Sequence, residues 1–174
     1  MKFACELFEK TKNSHKLVDK HLFIDLIRTN KTAARLYIDF NKICIYELQR
    51  VLKLEDNILQ YNLFRDIQQP DIYINDNLCK LLTLCRIFPL EAEYMFKAGL
   101  IMGGNLLKKY VSVVDYDFIT FNNPKKLFNN LKEYLEIHVK NKDEFIINVN
   151  KIYESIELCF DSFLKRFNNK YISN

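Results

Sequence analysis

Tryptophan is absent from this chain, and glycine and proline occur only three times each in 174 residues. So few turn formers cannot serve the many tight hairpins of a sandwich or barrel, which excludes an all-β architecture. Long uncharged runs are missing too. No stretch reaches the roughly 18 apolar residues that a spanning helix needs, so no membrane partner is expected. Cysteine pairs at C-x-x-C spacing are also lacking: Cys5, Cys44, Cys79, Cys85 and Cys159 are odd in number and scattered. In apolar helical contexts free cysteine behaves as a small hydrophobe, which points to a reduced protein in the cytoplasm. Met1-Lys-Phe-Ala-Cys-Glu runs straight into a charged helical pattern, with no sign of a signal peptide. No basic run is interleaved with aromatics, and a formal net charge of +4 is mild, so no nucleic-acid partner is expected.

What is present is helix-forming sequence. Hydrophobic residues make up 49% and charged residues 28%, enough for one domain over 1–174 with a sizeable core. Residues from Phe3 to Lys20 and from His21 to Arg28 read as two helices. Thr32 is placed to cap a long third helix through about Leu54, with Leu36, Phe40, Ile43, Cys44 and Leu48 at helical spacing. Further helices are expected over Ile58–Ile67, over Leu78–Ile87 behind a cap at Asp76, from Pro89 to about Val111, and from Pro124 to about Val139. The last helix has the cleanest stripe: Phe145, Val149, Ile152, Ile156, Cys159, Phe163 and Phe167. The expectation is an all-α domain of seven or eight helices, without repeats or linkers.

All three glycines fall within six residues, at Gly99, Gly103 and Gly104, inside the helix that Pro89 opens. Each helical glycine costs roughly 1 kcal/mol relative to alanine. Gly99 and Gly103 are one turn apart and share a face, leaving it as bare backbone. Such a face serves close helix packing or the close approach of a flat ligand, and the Gly103-Gly104 pair is a natural kink site. Of the three histidines, His15 has a carboxylate, Asp19, four residues on and therefore on the same helix face. A carboxylate beside an imidazole can fix its orientation and strengthen it as a metal ligand, although the same pair also occurs as an ordinary exposed contact. His21 and His138 lack that support and read as structural. Lys12, Lys16 and Lys20 read as a solvated face. Cys44 with Glu47 is a thiol–acid pair that reads as helix core.

Taken in order, three segments resemble heme oxygenase. Thr11-Lys-Asn-Ser-His-Lys-Leu-Val-Asp19, followed by Phe23 and Leu26, is similar to the family's proximal helix. The stretch from Gly99 to Lys109 is similar to its distal helix, with the pattern Gly-Asp-x-x-Gly-Gly-x-x-Leu-Lys-Lys. Asp117-Phe-Ile-Thr-Phe121, then Phe128 and the Ile146–Phe167 helix, follow in the family's order. The resemblance covers about Cys5 to Asn169. It implies a heme-oxygenase-like helical fold with heme between two helices and His15 as the iron ligand. Asp19 would support His15, and Tyr94, Gly99, Gly103 and Gly104 would line the cofactor site. Gly99 and Gly103 would also shape the catalytic face. In the family, heme is opened oxidatively to biliverdin, carbon monoxide and iron, with electrons from a reductase or ferredoxin.

The departures are specific. The family's distal aspartate is Leu100 here, which neither accepts nor relays a proton. The basic positions that clamp heme propionates correspond to Phe8, Asn129 and Glu133, with Lys10, Lys12, Lys125, Lys126 and Lys132 as neighbouring lysines. Two classes of function therefore stand open: a heme-degrading oxygenase, or an inactive relative that carries or senses heme or acts as a protein-interaction module. A monomer is expected.

Overall fold

The computed structural model describes residues 2–52, 74–110 and 121–171. Within these residues there are seven helices and no strand: α1 Lys2–Asp19, α2 Leu22–Thr29, α3 Lys31–Leu52, α4 Asp76–Ile87, α5 Pro89–Tyr110, α6 Pro124–His138 and α7 Lys142–Tyr171. The helix expected over 58–67 lies outside the described residues.

Asparagine starts most of these helices. Asn30 Oδ1 accepts from the backbone N–H groups of Thr32 and Ala33, at 2.9 and 3.1 Å, while its own N–H donates to Leu26 O and closes α2. One residue thus ends α2 and begins α3, and the cap is Asn30 rather than Thr32. Asn75 accepts from Leu78 N at 2.9 Å, so the cap of α4 is Asn75 rather than Asp76. Asn123 accepts from Lys126 N, with Pro124 as the first residue of α6. Asn141 accepts from Glu144 N and returns a hydrogen bond to the Glu144 carboxylate. Each such cap stabilises its helix by about 1 kcal/mol.

The long α7 is the spine. All seven residues of its apolar stripe, from Phe145 to Phe167, are buried. α1 runs beside it in the same direction. Lys10 meets Asp143, Ser14 meets Asn150, His15 meets Tyr153 and His21 meets Asp161, partners that climb together along both helices. α1 is also tied to α6 where Phe3 N donates to Glu136 Oε2 at 3.1 Å.

Around the C-terminal half of α7 the core is aromatic. Phe23 of α2 lies 5.2 Å from Phe160 and 5.4 Å from Phe163, ring centre to ring centre. Phe40 of α3 stands edge-on to both, at 5.5 and 5.7 Å, and reaches Phe96 of α5 at 6.2 Å. Edge-to-face pairs of this kind stabilise by about 0.5–1.5 kcal/mol beyond the area they bury. Cys44, Cys85 and Cys159 meet in the same core from α3, α4 and α7, with a hydrogen bond between the Cys44 and Cys85 thiols. Burial pushes the Cys44 thiol well up and the Cys159 thiol up to about 12, so both stay protonated and unreactive.

Candidate functional site

The site builds outward from α1. Thr11 Oγ1 is buried and donates to Leu7 O at 2.7 Å, and Ser14 Oγ donates to Asn150 Oδ1 at 2.7 Å. The first bond stays within α1; the second ties α1 to α7 at the residue before His15. The His15 side chain then falls at the edge of the packed face, 46% exposed. Its Nδ1 lies 2.9 Å from Asp19 Oδ2, and the Tyr153 ring of α7 stands at 87° to the imidazole with ring centres 5.7 Å apart.

His15 Nδ1–H donates to the carboxylate in either protonation state, and in the neutral ring this leaves the lone pair on Nε2, which has no partner among the described residues. Hydrogen bonding to Asp19 raises the His15 pKa above its ordinary value, and partial burial works against that rise. The charge of Asp19 also reaches Tyr37 on α3 and Tyr153 on α7. Burial is the main reason that Tyr37, Tyr94 and Tyr153 all titrate higher than a free phenol.

Tyr94 enters the same neighbourhood from α5. Its ring packs on Phe145 at 6.2 Å, and its charge would be felt by Tyr153. Gly99 and Gly103 lie further along α5. At about 100° per residue, Gly99 is about 140° round a straight helix from Tyr94, so the two can face one ligand only if α5 bends between them. Among the described residues a Cβ added at Gly99 or Gly103 would meet no atom within 4 Å, and Gly99 is exposed, so packing against the described residues does not demand glycine at either place. Gly104 belongs to α5, but its surroundings are outside the described set.

Leu100 points inward. It is 2% exposed and belongs to the main hydrophobic core. A second buried feature of α5 is an ion pair between Glu93 and Lys97, each of which has only the other as partner among the described residues. Phe8, two turns before His15, is exposed, as is Glu133 on α6, whereas Asn129 is half-buried. Lys132 lies over the Phe128 ring at 4.7 Å.

Two residues gained roles that spacing alone does not reveal. His21 caps α2: its Nδ1 accepts from Phe23 N at 3.1 Å while Nε2 meets Asp161 Oδ1 at 3.0 Å. Tyr153 lies beside Ile152 of the α7 stripe but outside its spacing, and it is the ring that bears on His15.

Among the described residues no group of three or more His, Cys, Asp or Glu side chains is arranged around a metal ion. A single imidazole with a supporting carboxylate is nevertheless the donor set that heme requires, because the porphyrin supplies the other nitrogens. His15 and Asp19 fit that group. No helix among the described residues is long and apolar enough to cross a membrane. No protein-family model, curated protein or solved structure matches this chain.

Proposed function

We propose that this chain is a heme-binding protein of heme-oxygenase-like fold, with His15 as the axial ligand. The observation that carries this reading is the 2.9 Å contact between His15 Nδ1 and Asp19 Oδ2. It orients the ring through Nδ1 and leaves Nε2 uncommitted and the ring half-exposed; once the ring has lost its second proton, Nε2 can ligate heme iron. Tyr153 packs edge-on to the ring and limits its rotation. Gly99 and Gly103 leave space in which a flat cofactor meets backbone without a Cβ in the way. When bound, the heme group would supply the iron and its redox chemistry; the chain would supply the His15 ligand and the packing around it.

Leu100 favours binding without turnover over heme degradation. Buried at 2% exposure, it neither holds water nor moves a proton. The reading is therefore a heme carrier or sensor, with conversion to biliverdin, carbon monoxide and iron as the competing outcome. The test is a hemin titration followed by reduction in air with catalase present, read by absorbance. A heme band that forms with the wild type and is lost in His15→Ala supports the reading. A band that persists through reduction without bilin identifies a carrier, whereas bilin bands identify an oxygenase. A wild-type chain that leaves the hemin spectrum unchanged overturns heme binding.

A further inference from the structure

Tyr153 carries a polar atom that the protein itself leaves unused. The residue is 9% exposed, and among the described residues its hydroxyl has no hydrogen-bond partner. What surrounds it is the His15 ring at 5.7 Å, with the charges of Tyr94 and Asp19 within electrostatic reach. Burying a hydroxyl without a partner is unfavourable, and native proteins rarely do so without a use for the group. A phenylalanine would fill the same space on α7 without that penalty.

A phenol hydroxyl carries one proton that it can donate, and here nothing among the described residues receives it. Asp19 does not take this proton; the Asp19 oxygen at hydrogen-bond distance belongs to His15 Nδ1. The available donor therefore lies beside the imidazole that would hold iron. The positions at which the resemblance would place basic clamps for heme carboxylates are Phe8, Asn129 and Glu133, which are no cations.

We propose that the Tyr153 hydroxyl donates a hydrogen bond to a carboxylate of the ligand held at His15, making Tyr153 a specificity-determining residue of that site. This inference rests on the heme reading above and adds a selection for ligands that carry acid side chains. The phenol then serves two ends: its ring holds the His15 imidazole, and its oxygen recognises the ligand.

Tyr153→Phe separates the two, because it keeps the ring and removes only the hydroxyl. Three measurements are made: apo melting temperature, hemin affinity, and affinity for the dimethyl ester of hemin. Expected are an apo Tm equal to or above wild type, a hemin Kd raised about tenfold, and an ester Kd changed by less than about twofold. A lowered apo Tm shows a structural partner for the hydroxyl and overturns the proposal. So does hemin affinity equal to wild type, or an equal loss for hemin and ester. In those cases wild-type hemin binding stands, and the heme reading survives. If the wild type binds no hemin, the heme reading fails, and the ligand assignment of Tyr153 fails with it.

Discussion

Asp19 Oδ2 lies 2.9 Å from His15 Nδ1, one helical turn further along α1, and the pairing favours the protonated imidazole in the folded state. A pKa raised on folding contributes stability that is fully present below the unfolded value, near 6.5, and is lost as pH rises through the folded value. Asp19→Asn removes the cause of the rise. The stability gap between wild type and Asp19→Asn is therefore expected to be widest below pH 6.5 and to narrow towards alkaline pH. Urea unfolding at a series of pH values checks it. A gap that widens with rising pH contradicts the pairing.

The same shift bears on ligand binding with the opposite sign. Only the neutral ring can coordinate iron through Nε2, so hemin affinity should fall as pH drops through the raised His15 value. In Asp19→Asn that acid limb should move to lower pH, because the proton is held less tightly. Hemin titrations from mildly acid to mildly alkaline pH locate both limbs. Coincident limbs would remove Asp19 from control of the ligand.

Gly99 and Gly103 make a prediction in which stability and binding part company. A Cβ at either position meets open space, so alanine gains helix propensity without a clash. Gly99→Ala and Gly103→Ala are each expected to stabilise the apo protein by roughly 0.5–1 kcal/mol. If the open face accepts heme, the same variants weaken hemin binding. Denaturant midpoints and hemin titrations on the same samples decide the point. A variant that is both more stable and equally good at binding leaves the glycines without a ligand role.

His21 joins the end of α1 to α2 and α7. Through Nδ1 it caps α2 at Phe23 N, through Nε2 it meets Asp161, and its ring lies edge-on to Phe160 at 5.7 Å. His21→Ala should destabilise by about 1–3 kcal/mol, from the lost cap and the lost side-chain bond. His21→Asn can still cap the helix and should recover part of that loss. Thermal unfolding of the pair tests this; an Asn variant no better than Ala would move the main role of His21 from capping to ring packing.

The elements of this fold were legible where a single helix face carries the information. The α7 stripe from Phe145 to Phe167 repeats every three or four residues, and every member is buried. The His15–Asp19 pair was legible for the same reason, since four residues span one turn. Caps were less so. Asn30 and Thr32, or Asn75 and Asp76, are all competent caps, and the choice falls to backbone geometry that periodicity does not encode. Tyr153 was hidden because its partner His15 is far away in sequence, and the spacing of the α7 stripe passes it by. The inward aim of Leu100 was hidden too. A helix buried on most sides, as α5 is from Ala92 to Ile101, gives no polar face against which to orient it.

That inward aim turns the most obvious repair of the site into a test of the fold. Leu100 lies in the hydrophobic core at 2% exposure, so Leu100→Ala should cost about 2–5 kcal/mol through lost burial and the cavity left behind. Leu100→Asp should cost more, because a carboxylate placed among apolar side chains must either stay charged without a partner or take up a proton. Restoring an acid at this position would then weaken folding before it could supply protons to a bound ligand. Urea unfolding of the two variants, with and without hemin, ranks them. If Leu100→Asp proves as stable as Leu100→Ala, the side chain opens onto a solvated pocket, and loss of a distal acid becomes the better account of this residue than core packing.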